Sequence, residues 1–273
     1  MNALAAAREV ERELSSAGVP APRTDAELLV AHVLRTPRAA LAGAEVDAAD
    51  VPLLRTLVER RRSREPLQHV LGEWGFRRLV LAVDRRALVP RPETEIVVGR
   101  CLELLSSVAK PRVLDVGTGS GAIALALADE LAEASVVATD AFAEALALAR
   151  ENAARTGLEG RLELREGDLF AGASGPFHLV VSNPPYVLEE EVADLEPEVR
   201  DHDPSQALLA AGLTERIVAA AGAVLVPGGW LVLEVGAGQA GAVAGLLAAH
   251  CYRETRIGRD LAGIERVVEG RAP

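Results

Sequence analysis

Lysine is almost missing from this chain: of 29 basic residues only Lys110 is one, and 40 acidic residues leave a formal net charge of −11. That balance argues against a protein that holds nucleic acid mainly through its phosphates, which needs clustered Lys and Arg. The one arginine run, Arg60-Arg61-Arg62 with Arg64, falls on a predicted helix. It reads first as a solvated face, and second as a patch for an acidic or RNA-bearing partner. Cysteine is scarce too. Cys101 and Cys251 lie far apart, without metal or redox spacing, and read as small, buried, reduced residues, so a cytoplasmic setting is expected. The five histidines are scattered, and no metal site is assigned. No uncharged run is long enough to span a membrane, and Met1 to Val10 has no basic segment leading into an apolar run. What is present is 273 residues, 49% of them hydrophobic, ample for one large domain with a smaller module.

Apolar spacing predicts three helices in the first part of the chain. Leu4, Ala7, Val10 and Leu14 share a face, Thr24 and Glu27 have capping-box spacing before a second helix, and Asp50 is expected to cap a third. Residues 1–72 read as a small helical domain. Residues 73–89 read as a β-hairpin linker, from the near period-two placement of Trp74, Phe76, Leu79, Leu81 and Val83, with a turn around Asp84-Arg85-Arg86. Pro90-Arg91-Pro92-Glu93-Thr94-Glu95 opens a helix, and on residue chemistry Arg91, Glu93 or Thr94 stands equally as a border of a cleft. From Arg112, strands alternate with helices. The last two strands, about 254–257 and 264–268, are joined too tightly for a parallel crossover. The expectation is an α/β fold over 90–273, mostly parallel, with a terminal antiparallel hairpin and a ligand crevice at the strand C-termini.

One stretch organises the rest. A buried strand ends in Ser182-Asn183-Pro184-Pro185-Tyr186, delivering an amide, two prolines and an aromatic ring to one strand end. Proline lacks an N–H, so Pro184 and Pro185 present carbonyl acceptors without a competing donor. The Asn183 side-chain oxygen beside the Pro184 carbonyl suits gripping both hydrogens of a planar NH2 group, on which the Tyr186 ring can stack. Gly117-Thr118-Gly119-Ser120-Gly121 follows another buried strand and allows a ligand close to the backbone. Asp140, 19 residues after Gly121 at the next strand end, can accept from both hydroxyls of a ribose. Asp168, after the third strand, can accept from an adenine amino group or simply cap a turn. With Ala122 the turn also satisfies a dinucleotide pattern, but a hydride transferase has no evident use for a clamp on NH2.

The stretches Val89 to Glu95, Leu114 to Gly121, Gly167 to Phe170, Ser182 to Tyr186 and Asp260-Leu261-Ala262-Gly263 together resemble the HemK/PrmC family, protein-(glutamine-N5) methyltransferases of peptide chain release factors. The likeness runs over nearly the whole chain. It implies a class I S-adenosylmethionine-dependent methyltransferase fold, in which Gly117, Thr118, Gly119, Ser120, Gly121, Asp140, Asp168 and Asn183 bind S-adenosylmethionine. It further implies that Asn183, Pro184, Pro185 and Tyr186 hold the substrate glutamine, with Asn183, Pro184 and Tyr186 as the catalytic group, and that residues 1–72 recognise the release factor. Neither membrane nor direct nucleic-acid binding is expected. The rival substrates are a ribosomal-protein glutamine and, through a similar proline-rich clamp, adenine N6 in DNA; the non-enzyme alternative is a docking module on the same fold. Local departures are His69, where the family often has tyrosine, His202-Asp203-Pro204, and a shortened segment Leu209 to Leu213.

Overall fold

The computed structural model describes residues 1–210 and 212–273; Ala211, within the shortened segment, lies outside the described residues. The chain divides into two compact units, Met1–Glu73 with Leu195–His202, and Trp74–Asp194 with Asp203–Pro273.

The first unit holds α1 (Ala3–Ser16), α2 (Pro22–Val33), α3 (Val51–Arg62) and α4 (Leu67–Leu71). Asn2 caps α1, its side chain accepting from the Leu4 and Ala5 N–H groups. The expected Thr24 capping box does not form. Pro22 opens α2 instead, and Glu27 is taken by Arg23 and Arg38. Asp50 caps nothing with its side chain and accepts from the Asp47 N–H. The arginine run is not a solvated face throughout. Arg61 is 4% exposed and donates to Asp25 at 2.7 Å and to Glu198 at 2.7 Å, and Arg64 also holds Glu198. Burial raises the Asp25 carboxyl against the pull of Arg61. Burial would raise Glu198 as well, but Arg64 and Arg61 hold it below its ordinary range. These pairs tie residues 195–202 to the helices, an association that a division at residue 72 does not contain.

In the second unit β1 (Glu73–Phe76) and β2 (Leu79–Ala82) form a two-stranded sheet. The chain reverses between them at Arg77 and Arg78, with Arg77 at φ 52°, rather than at 84–86, where a separate turn is held by Arg86 on Asp84 and Glu151. There follow α5 (Pro92–Leu105), β3 (Arg112–Val116), α6 (Ala122–Glu130), β4 (Ser135–Asp140), α7 (Ala143–Thr156), β5 (Leu162–Glu166) and β6 (Phe177–Ser182). A short α8 (Pro197–Arg200), belonging to the first unit, precedes α9 (Leu213–Ala221), β7 (Leu225–Glu234), α10 (Ala240–Ala249), β8 (Arg253–Arg259) and β9 (Glu265–Arg271).

The seven-stranded sheet has the order β5-β4-β3-β6-β7-β9-β8. Its first five strands are parallel, and β9 runs antiparallel to both neighbours, as the tight terminal connection requires. Alternation sorts the central side chains: Leu179 and Val181 join the cluster containing α5 and α6, while Val180 joins the cluster containing α9 and α10. With both faces covered, the central strands are continuous apolar runs. Any carboxylate inside such a run is therefore conspicuous. The chain steps outward from β3 to β5 and then returns to the other side of β3, so the crevice opens where β3 and β6 diverge at their C-termini. Among the described residues no helix is long and apolar enough to cross a membrane.

Candidate active site

A cleft of about 1000 Å³, open to solvent, lies at that switch point. The turn after β3 forms one wall. Gly117, Gly119 and Gly121 have φ of 71°, 56° and 83°, a region costly for residues with a Cβ. A Cβ at Gly117 would meet nothing within 4 Å, so the backbone there faces open space. At Gly121 it would stand 3.1 Å from Leu125 and 3.3 Å from Ala149, which lets α6 pack close to α7. Gly121→Ala is expected to lower stability by about 1–2 kcal/mol, combining left-handed backbone strain with crowding. A thermal midpoint equal to wild type would show that the turn relaxes freely.

Polar groups fix the turn from behind. The N–H groups of Gly117 and Thr118 both donate to the Thr139 carbonyl at 2.9 Å. Thr118 Oγ1 donates to buried Asp115 at 2.6 Å, so that hydroxyl faces inward. Burial pushes the Asp115 carboxyl up to about 7, against the Thr118 hydrogen bond. Asn152, fully buried on α7, donates to the Ser120 carbonyl at 2.9 Å and exchanges two hydrogen bonds with Ala82, tying the turn to β2.

Asp140 ends β4 and is 7% exposed. Its two oxygens accept from the N–H groups of Gly119 at 2.9 Å and Phe142 at 3.0 Å. Burial raises its carboxyl, and those backbone donors oppose the rise. Each oxygen keeps a further lone pair toward the cleft, which fits a ribose diol. Asp168 also lines the cleft, and its exposed carboxylate pairs through Oδ2 with Arg216, which leaves Oδ1 as an acceptor.

Asn183, half-buried, follows β6 and lines the cleft with Pro185. Its Nδ2 donates to Thr94 Oγ1 at 3.3 Å, and Thr94 Oγ1 donates to Glu234 at 2.7 Å. Pro184 is buried and does not line the cleft. The Tyr186 ring also lies outside that lining, beside Gly236, where an added Cβ would come within 3.1 Å of it. Gln239 holds the Tyr186 carbonyl at 2.9 Å, stiffening this chain segment. Thr94, left undecided between helix start and cleft border, serves as both: it sits in the first turn of α5 and lines the cleft. Arg91 lines it too and donates to Asp203 at 2.8 Å. Glu234 escaped the sequence reading. Its signal is a lone carboxylate in the otherwise apolar run Trp230 to Val235.

Comparison with known proteins decides the relationship. The chain is 48% identical over 94% of its length to the release factor glutamine methyltransferase of Deinococcus radiodurans, covering 94% of that protein. The corresponding protein of Caulobacter vibrioides is 41% identical, over 94% of this chain and 92% of that one. The chain belongs to the release factor glutamine methyltransferase family. Its residues 5–72 match the PrmC N-terminal domain, and residues 100–198 match the Methyltransferase small domain. A solved methyltransferase from Pyrococcus furiosus shares the fold, with a TM-score of 0.52 at 17% identity over 71% of this chain and 88% of that one. The family's architecture here is the class I S-adenosylmethionine-dependent methyltransferase fold, with the mostly parallel sheet and terminal antiparallel hairpin anticipated from the sequence. The open glycine turn, with a buried carboxylate carrying spare lone pairs beside it, fits that family's cofactor.

Proposed function

We propose that this chain methylates the side-chain amide nitrogen (N5) of the glutamine in the Gly-Gly-Gln loop of peptide chain release factors, using S-adenosylmethionine, and so supports translation termination. Family membership supports the reaction, and the observation that carries it at the site is the orientation of Asn183. Its amide nitrogen is engaged by Thr94, so its carbonyl oxygen is the group left for a substrate in the cleft. S-adenosylmethionine, when bound, supplies an electrophilic methyl group on a sulfonium. The glycine turn from Gly117 to Gly121, with Thr118 and Ser120 in it, and the Asp140 carboxylate hold it. Asp168, whose Oδ1 is not used by its pair with Arg216, would accept from the adenine amino group.

An amide nitrogen is a poor nucleophile because its lone pair is delocalised into the carbonyl. Asn183 Oδ1 would take one N–H group, and the carbonyl of Pro184, a buried residue outside the cleft lining, would reach the other only through a shift of this turn; together they would favour pyramidalisation and free the lone pair for the methyl carbon. Pro185 keeps the turn rigid, and Tyr186 would pack against the amide plane only by swinging in from its place beside Gly236. With S-adenosylmethionine bound, its methyl group would pass to that nitrogen, S-adenosylhomocysteine would depart, and one amide proton would leave to water. Orientation of this kind is worth on the order of 7–11 kcal/mol, so no nucleophilic side chain is needed.

The helical residues 1–72 serve to recognise the release factor. Arg61 and Arg64 within them are committed to internal ion pairs, which leaves recognition to other side chains. Release factors work in the cytoplasm, which suits two free cysteines, of which Cys101 is buried as expected while Cys251, in the turn between α10 and β8, is exposed. The test is incubation with labelled S-adenosylmethionine and, separately, release factor, ribosomal protein and DNA, with the methyl group located by mass spectrometry. Label on the Gly-Gly-Gln glutamine is expected. Label only on ribosomal protein or DNA would overturn the assignment.

A further inference from the structure

Glu234 ends β7, and the register Ser182↔Leu233 brings it opposite Asn183. Both Glu234 and Thr94 are buried, at 0% and 4% exposure. A carboxylate can only accept hydrogen bonds. When Glu234 is ionised it takes the single Thr94 hydroxyl proton, at 2.7 Å. The Thr94 oxygen then has only lone pairs to offer, so the Asn183 amide must turn an N–H toward it, as it does at 3.3 Å. The Asn183 amide also helps to stabilise the Glu234 charge directly. The polarity of the chain is thus set at its buried end.

We infer that Glu234 is a positioning residue which, through Thr94, fixes the end of the Asn183 amide that faces the cleft, so that the clamp accepts substrate hydrogens only while Glu234 is ionised. The inference rests on Asn183 being the acceptor for the substrate amide. Protonation on Oε2, the oxygen that Thr94 holds, reverses every donor and acceptor in the chain. A neutral Glu234 donates to Thr94, the Thr94 hydroxyl turns its proton to Asn183, and Asn183 must then offer Oδ1 inward and NH2 to the cleft. A donor facing the substrate's donors cannot hold them.

The surroundings put that switch within reach. Glu234 Oε1 has no hydrogen-bond partner among the described residues, and burial is the main force raising its carboxyl, to about 7. Glu93 on α5 adds to the rise. Thr94, Arg266 on β9 and Asn183 after β6 oppose it. Tyr186, also after β6, faces the same carboxylate, and its hydroxyl is raised by burial and then by Glu234. The active polarity is therefore present above about pH 7 and lost as pH falls through that value.

The experiment measures single-turnover methylation of a release factor against pH, with release factor and cofactor binding measured separately. Wild type is expected to show an acid limb centred at about 7, which Glu234→Gln abolishes because glutamine does not titrate. Thr94→Val is expected to slow methylation on the order of 10- to 100-fold with both affinities unchanged, and Thr94→Ser to restore it. A limb that persists in Glu234→Gln, or a Thr94→Val rate equal to wild type, overturns the inference. If wild type methylates no release factor, the functional reading fails on its own. The 15N resonance of the Asn183 side chain in the cofactor-free protein then decides: a pH-dependent shift that Glu234→Gln removes supports the switch, and a pH-independent signal overturns it.

Discussion

Asn183→Ala is expected to lower kcat by roughly 10²–10³-fold, or about 2.7–4 kcal/mol, while leaving release factor docking nearly unchanged. The size follows from what is lost: a preorganised acceptor aimed at the reacting nitrogen. Thr94 and Glu234 behind it have already met the cost of orienting that acceptor. Docking draws on a protein surface far larger than one side chain, so the loss falls on the chemical step rather than on binding. Tyr186 separates packing from hydrogen bonding at the same strand end. Its ring lies against Gly236 and its carbonyl is held by Gln239, so Tyr186→Phe keeps the packing and Tyr186→Ala removes it. The expected order of kcat is wild type, then Phe, then Ala, read by single-turnover methylation of a Gly-Gly-Gln-bearing release factor. A wild-type rate in Asn183→Ala would remove the amide from the clamp, and equal slowing by Phe and Ala would remove the stacking role.

The elements that carry these residues were legible where one local rule decides them. Buried apolar runs mark β3, β4, β6 and β7, and a short connection makes β8 and β9 antiparallel whatever else happens. Asn183 and the glycine turn stand out because each directly follows a buried strand, at the end of the sheet where a ligand crevice forms. What stayed hidden depends on partners distant in sequence. Nothing local tells that Asp168 will meet Arg216, 48 residues away, or that Arg61 will be buried on Asp25 and Glu198 rather than face water. Thr94 stayed undecided between helix start and cleft border because its two partners come from the end of β6 and from β7. Glu234 and Asp115 were findable. Each is a carboxylate within a strand otherwise buried on both faces, a place that burial alone makes expensive unless a specific donor or a function keeps it there.

Asp140 carries the second large effect, because one carboxylate does two jobs. It closes the glycine turn by accepting from the Gly119 and Phe142 N–H groups, and its remaining lone pairs face the cleft. Asp140→Ala removes both. Loss of hydrogen bonds to a charged acceptor costs roughly 1.5–3 kcal/mol, so S-adenosylmethionine is expected to bind about 10- to 150-fold more weakly. The cofactor-free protein should also melt at a lower temperature, since two backbone donors lose their partner in a buried turn. Asp140→Asn distinguishes the jobs. Its side-chain oxygen can still accept one backbone N–H, so most of the apo stability should return. Its NH2 replaces an acceptor with a donor, so the ribose diol keeps at most part of its partner set and affinity stays low. Calorimetric titration of both variants with S-adenosylmethionine, beside thermal unfolding of the cofactor-free forms, separates the two contributions. Wild-type affinity in Asp140→Ala would take the ribose role away from this carboxylate and leave it only the turn.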